Sequence, residues 1–363
     1  MTRRPPIYVN GRFLAQPLTG VQRYSRELLG ALNTLAENGE IDLSAQPLVC
    51  LAPPDSGPGP AWKHIPLIRA GRFTSNLWEQ VDLPLAARGG LLFSPGNIGA
   101  YFHPHQVATL HDASVFAYPQ AYTLLFRLKY QVMLRRLGRI ARQIITVSEF
   151  SRGELARYCH IPLEKITVIP HGHEHLQAIR PDPSILARLE IGPKPYLLAV
   201  GSDSPHKNMG ALIEAMRGLR GENIELIVAG GSFSRVFAGG HLDLPSNVRR
   251  AGYVTDGELR ALYESARGFV LPSLYEGFGL PLLEAMAFGC PVICSDRASL
   301  PEVAGDAALY FDPSRPEQIR AQIQALLHNP AETEERSRRG FARLAGFTWT
   351  AAARRVWDIL AGK

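Results

Sequence analysis

No stretch of this 363-residue chain stays apolar for the length that a bilayer span needs. Its start, Met1-Thr2-Arg3-Arg4-Pro5-Pro6-Ile7-Tyr8-Val9-Asn10, has basic residues with no apolar region behind them, so no secretory signal is expected. The chain reads as soluble and cytoplasmic. Cysteine is scarce and scattered: Cys50, Cys159, Cys290 and Cys294 form no Cys-x-x-Cys pair. That argues against a disulfide framework or a zinc site and predicts reduced, structural thiols. There are no internal repeats and no low-complexity segments. A formal charge of +6 and a pI near 9.2 admit anionic partners. Yet no basic run is interleaved with aromatics, as a face for single-stranded nucleic acid would require.

What is present is alternation. Strands are predicted in the first half at Ile7–Val9, Leu48–Leu51, Leu91–Phe93, Val107–Leu110, Gln143–Val147 and Lys165–Ile169. In the second half they are predicted at Tyr196–Gly201, Ile224–Ala229, Val248–Tyr253, Gly268–Pro272, Pro291–Cys294 and Ala308–Phe311. Amphipathic helices fall between most of them, including Gly210–Arg220 and Asp256–Ala266. Repeated strand–helix units imply parallel sheets covered on both faces, twice over. Pro181, Pro183, Pro193 and Pro195 interrupt the pattern before it restarts at Tyr196, which places a boundary near residues 172–195. The expected domains are 1–175 and 176–347, with a last helix over 348–363. Residues 53–60 read as a proline- and glycine-rich loop.

The segment from Glu276 reads Glu-Gly-Phe-Gly-Leu-Pro-Leu-Leu-Glu and ends at Glu284. The apolar run from Gly268 to Pro272 before it predicts a buried strand. Pro281 with good helix formers behind it predicts a helix start. The amides of Gly279 and Leu280 then sit at a helix N-terminus, a ready anion site. Glu276 in the loop and Glu284 in the first helical turn are expected to face one ligand. An anion cradle between two accepting carboxylates suits a sugar nucleotide; a turn with glycine for geometry alone is the plainer alternative.

Other loops repeat this logic. Leu18-Thr19-Gly20-Val21-Gln22-Arg23-Tyr24 opens a helix running to about Asn38, and Gly20 lets backbone approach a phosphate. His111-Asp112 ends a strand where ligand contacts belong in α/β sheets. Ser148 is a good N-cap. Lys207, after the strand from Tyr196, is either a surface lysine or a phosphate neutraliser. The alternations His171-x-His173-x-His175 and His103-x-His105 lack acidic or cysteine partners nearby, so no metal site is assigned. A helix over about 123–142 carries Arg127, Arg135, Arg139 and Arg142 on one side. Phe126, Met133, Leu134, Leu137 and Ile140 fall on the other. It reads as a core-facing helix with a solvated basic face, with contact to anionic lipid or a lipid-diphosphate acceptor as the second reading.

The segment Glu276–Glu284 resembles the Glu-x7-Glu signature of retaining glycosyltransferases of the GT-B fold, family 4 in particular. The Thr19-Gly20 loop, His111-Asp112, Ser148-Glu149 and the Ser202–Asn208 loop follow in the family's order. Among relatives the landmarks look most like bacterial mannosyl- or rhamnosyltransferases of surface-polysaccharide assembly. The resemblance implies an α/β GT-B fold: two doubly wound Rossmann-like domains facing a cleft, with the C-terminal helix crossing back to the first domain. It implies His111, Lys207 and Glu276 as catalytic residues. For the donor it implies Gly20, Val21, His206, Lys207, Gly252, Tyr253, Val254, Glu276, Gly277, Phe278, Gly279, Leu280 and Glu284. The acceptor would meet Arg23, Asn97 and Asp112. Two departures stand out: Gln22 replaces a frequent glycine, and His206 stands where relatives often have arginine.

The implied function is transfer of a hexose, mannose favoured, from a nucleotide sugar, GDP-mannose favoured. The acceptor would be a saccharide or lipid-linked saccharide in lipopolysaccharide or other surface-polysaccharide biosynthesis. UDP- or dTDP-linked glucose or rhamnose is the alternative donor. Asp-x-Asp, the cation-holding motif of GT-A transferases, occurs nowhere in the chain. No metal and no cofactor are expected, and no nucleic-acid partner; peripheral contact with the inner face of a membrane is. A glycoside hydrolase using both glutamates, a non-catalytic scaffold of the same fold and a sugar-nucleotide epimerase are the rival readings.

Overall fold

The computed structural model describes residues 4–192, 194–231 and 244–363. Met1–Arg3 and Pro193, which bear on the chain start and the domain boundary, lie outside the described residues. The chain divides into two compact units. Unit one takes residues up to Ala113, Leu128–Gly172 and Thr348–Lys363; unit two takes Ser114–Arg127 and His173–Phe347.

Unit one is built on β1 (Ile7–Asn10), β2 (Leu48–Ala52), β3 (Leu67–Arg69), β4 (Leu91–Ser94), β5 (Gln106–Thr109), β6 (Gln143–Thr146) and β7 (Ile166–Val168). They form a parallel sheet in the order β3-β2-β1-β4-β5-β6-β7. β3 is the one strand that the sequence pattern does not predict. It has three residues at the sheet edge, one half-buried and two exposed, too few and too wet to make an apolar run. Helix Gly20–Glu37 covers one face, burying Leu28, Leu29, Leu32 and Leu35 at helical spacing. The last helix, Trp349–Ala361, belongs to unit one and packs on that helix. Trp349, Ala353, Val356 and Trp357 join the same core as Tyr24, Leu28 and Leu32. Its start is capped by Thr348, whose hydroxyl accepts from the Ala351 amide at 3.2 Å.

Unit two holds β8 (Tyr196–Val200), β9 (Glu225–Ala229), β10 (Val248–Gly252), β11 (Gly268–Leu271), β12 (Val292–Ser295) and β13 (Ala308–Phe311). They too are parallel, in the order β10-β9-β8-β11-β12-β13. Both sheets reverse their winding once, at β1/β4 and at β8/β11. Loops leaving the carboxyl ends there diverge to opposite faces and leave room for a ligand. The apolar strands are buried on both sides, as parallel strands under two helix layers must be.

Residues 114–127 differ from the expected domain assignment. They group with unit two because Tyr118 and Tyr122 pack there. Tyr118 meets Tyr275 edge-on at 5.5 Å, and Tyr122 stacks on His206 at 6.0 Å. His173 and His175 likewise find their partners in unit two. The four cysteines are buried and unpaired. Among the described residues no helix is long and apolar enough to cross a membrane.

Because Trp357 is almost fully buried in the unit-one core, Trp357→Ala removes a large side chain that few neighbours can replace. It should cost about 3–5 kcal/mol, read as a lowered urea midpoint in far-UV circular dichroism.

Candidate active site

In unit two the loop after β8 turns sharply through the short helical turn Pro205–Lys207 into Asn208, which sits in the left-handed region. The Asn208 side-chain amide donates to the carbonyls of Pro272 (3.1 Å) and Pro313 (2.7 Å), locking this loop to those after β11 and β13. The Leu274 amide adds a bond to the His206 carbonyl at 2.8 Å. These ties fix the neighbouring Lys207. Its ammonium donates to both oxygens of Glu276, at 2.8 and 2.9 Å, and Ser273 donates to Oε1 at 2.7 Å. Burial alone would raise the Glu276 pKa. The ammonium of Lys207, the Ser273 hydroxyl and nearby His206 outweigh it and hold the carboxyl below its ordinary value.

Past Glu276 the chain crosses Gly277 and buried Phe278, which meets Phe347 edge-on. It reaches Gly279 at φ +95°, where an added Cβ would lie 2.6 Å from Leu300. Glycine is thus required twice over, by backbone conformation and by packing. Gly279 caps helix Leu280–Ala287, and Pro281 supplies no donor. Among the described residues the amides of Gly279 and Leu280 have no protein acceptor. They are the unengaged donors that the sequence predicts at this position.

Glu284 lies one turn deeper than expected and is almost wholly buried. His175 Nε2 donates to its Oε1 at 2.8 Å, and the Tyr263 hydroxyl donates to its Oε2 at 3.0 Å. The sequence pattern points this carboxylate at a ligand alone and gives His175 and Tyr263 no part in holding it. The alternation of histidines is the signal that could have found them. Its members have separate duties: His173 Nδ1 donates to the Phe347 carbonyl at 2.7 Å, whereas His175 serves Glu284. Among the described residues no three His, Cys, Asp or Glu side chains gather as a metal-ligand set.

The remaining donor-side candidates occupy the neighbouring strand ends. Gly252 ends β10 with φ +69°, and its carbonyl accepts from Gly230 at 2.8 Å. Tyr253 is exposed and Val254 half-buried. His206 is buried and hydrogen-bonded to Ser204 at 3.0 Å while it stacks on Tyr122. It fills the protein interior in addition to any electrostatic part.

Unit one brings its candidates together at the ends of β4 and β5. The His111 amide donates to the Asn97 side chain at 2.6 Å, and Asn97 holds a left-handed turn at φ +64°. His111 Nε2 donates to the Pro95 carbonyl at 3.0 Å, which leaves Nδ1 as the acceptor. The Tyr24 ring meets the imidazole edge-on at 4.7 Å. Burial lowers the His111 pKa against the opposing pull of the Pro95 carbonyl and Asp112, which favours the neutral ring. Val21, in the first turn of helix Gly20–Glu37, lies beside Gly96. Gly20 itself is exposed, and an added Cβ would meet no protein atom. Gln22 serves the helix start, where its side-chain oxygen accepts from the Thr19 amide at 3.2 Å and so caps the helix. Arg23 lies in the same turn, 4.0 Å from Glu27.

Two parallel sheets, each with a loop cluster at its switch point, define a class of fold shared with GT-B enzymes. Sucrose-phosphate synthase of Thermosynechococcus elongatus superposes with a TM-score of 0.74 at 21% identity, covering 99% of each chain. Residues 184–342 match the model of group 1 glycosyl transferases, and residues 38–175 match that of glycosyltransferase family 4. O-antigen chain mannosyltransferase B of Escherichia coli is 34% identical over 69% of either chain. The O-antigen chain mannosyltransferase RfbU of Salmonella typhimurium is 28% identical over 62% of either chain. The chain belongs to the family 4 glycosyltransferases.

The His111 shift carries a sign. The unfolded histidine takes up its proton near pH 6.5, before the folded one does. Its contribution to stability is therefore complete above that pH and is lost as pH falls through the folded value. Proton NMR of the His111 ring should give a midpoint below 6.5.

Proposed function

We propose that the protein is a retaining, metal-independent hexosyltransferase that moves mannose from GDP-mannose to a saccharide or lipid-linked saccharide during surface-polysaccharide assembly. It would work in the cytoplasm, in peripheral contact with the inner face of the membrane. The observation that carries the reading is the Lys207–Glu276 pair beside the two unengaged amides of Gly279 and Leu280. The mannosyl preference is supported by the two O-antigen mannosyltransferase relatives.

In this reading unit two takes the donor. Lys207 and the amides of Gly279 and Leu280 meet the diphosphate. Preorganised donors of this kind stabilise the charge that builds on a leaving group, commonly the largest catalytic contribution. Glu276 accepts from sugar hydroxyls. Glu284 accepts from the ribose hydroxyls while His175 and Tyr263 donate to it. Those two donors fix its orientation. Gly252, Tyr253 and Val254 present main chain to the base. In unit one, His111 and Asn97 with Asp112 and Arg23 receive the acceptor, and the open backbone at Gly20 and Val21 faces phosphate. With no side-chain nucleophile assigned, the leaving phosphate oxygen takes the acceptor's proton as the new glycosidic bond forms on the same face.

The hydrolase reading needs a carboxylic acid held protonated near neutrality. Glu276 is shifted the other way, which weighs against it.

Thermal denaturation with GDP, UDP, dTDP and ADP tests the donor site: GDP should give the largest rise in Tm. Absence of any shift, or sugar release that needs no nucleotide, would overturn the assignment. Lys207→Met should lower kcat with GDP-mannose by about 10²–10³-fold while the fold, read by circular dichroism, is kept.

A further inference from the structure

Seven of the thirteen exposed large apolar side chains among the described residues lie on three segments of unit one. In unit one, Phe73, Leu77, Val81 and Leu85 recur every four residues along the outside of helices Ser75–Gln80 and Asp82–Ala86. Phe102 is 75% exposed on the loop between β4 and β5, and Leu128 and Val132 are exposed on helix Leu124–Ile140. These segments are bound to one another. The Gln80 side chain donates to the Gly99 carbonyl at 3.0 Å and accepts from the Tyr101 amide at 2.7 Å. Arg136 donates to the Tyr101 carbonyl at 3.1 Å and covers its ring, and Tyr101 packs on Phe102. Buried Glu79, beside Gln80, lies within electrostatic reach of Lys129 and Tyr130 on the longer helix.

Positive charge predominates on this face. Residues 56–78 and 113–148 contain no aspartate or glutamate. Of the two acids between 78 and 88, Glu79 is buried against Arg12, and Asp82 accepts from the amides of Arg72 and Phe73. Arg72, Arg88, Arg135, Arg139 and Arg142 are exposed. The carboxylates that follow, Glu149 and Glu154, already face Arg152 and Arg157. The 123–142 helix turns Met133, Leu134 and Leu137 to the core and exposes Arg135, Arg139 and Arg142, as expected, and it exposes Leu128 and Val132 as well. Its outside carries leucine and valine first and arginine after them.

We propose that this face of unit one docks on a lipid surface carrying anionic headgroups. Apolar side chains enter the headgroup boundary while arginines meet the lipid charge, the two signals that peripheral binding needs together. A second copy of the chain is the weaker occupant, because two such faces would bring like charge against like charge. The proposal deepens the reading of a membrane-side acceptor and rests on it. Its test uses neither donor nor acceptor, so its failure and the failure of the transferase reading are distinguishable.

The experiment is flotation of the full chain with vesicles of phosphatidylcholine alone or mixed with phosphatidylglycerol. Binding is expected to the mixed vesicles only, and to weaken as salt rises from about 50 to 500 mM. The triple variant Arg72→Gln, Arg139→Gln, Arg142→Gln should weaken partitioning about a hundredfold. The pair Leu77→Ser, Leu128→Ser should reduce it at constant charge, with Tm unchanged in both. Failure of the native chain to bind phosphatidylglycerol vesicles at low salt would overturn the proposal. So would equal binding to both vesicles, or a dimer in sedimentation that the Leu77→Ser, Leu128→Ser pair abolishes.

Discussion

A lysine ammonium brought out of water must find a counter-charge, and in unit two that requirement organises the loops after β8 and β11. Lys207 bonds both oxygens of Glu276, and Asn208 clamps the same loop to Pro272 and Pro313. The carboxylate holds the lysine extended. In the proposed donor site the ammonium would thus be placed before a diphosphate binds, preorganising positive charge at little cost in reordering. The same pairing depresses Glu276, which makes it an acceptor of hydroxyl protons rather than a source of one.

Glu284 obeys the complementary constraint. A carboxylate buried this deeply needs donors, and two of them reach Glu284 from outside helix Leu280–Ala287. They come from His175, at the end of a loop that leaves unit one, and from Tyr263 on helix Asp256–Ser265. The glutamate nearest the expected ribose position is thus aimed by residues 109 and 21 positions away in sequence. One of the links that tie the 173–175 loop to unit two is therefore made at a proposed ligand group. In the proposed site, loop placement and donor recognition would share this side chain.

Much of this was legible in the sequence, and the exceptions share a cause. Among the described residues, twelve of the thirteen strands announce themselves as apolar runs because both faces of a parallel sheet are buried. β3 does not, because an edge strand is only half covered. The helix start at Gly279 is legible because glycine, proline and unengaged amides are local matters. The His175–Glu284 and Lys207–Glu276 bonds and the placement of residues 114–127 are not local. They depend on which distant segments the fold brings together within unit two, and periodicity carries no information about that. Gln22, which departs from the family's frequent glycine, has a local part in this fold: its side chain accepts from the Thr19 amide at the start of the helix.

Helix Leu124–Ile140 shows where pattern reading runs out even within one element. Apolar residues surround it nearly all the way round, so helical spacing alone does not tell which of them face the core. Met133, Leu134 and Leu137 do, whereas Leu128 and Val132 face out. Burying all of them would require another layer that unit one does not have at this position. Leaving them exposed is costly to solubility unless charge of one sign keeps copies apart, and the arginines that follow on the same helix supply that charge. The net +6 of the chain is thus better understood through its placement than its size. Basic residues gather where apolar ones are uncovered, and acids are absent, buried or paired there. A surface of that kind repels its own copies, and in the proposed docking the same charge would attract an anionic interface.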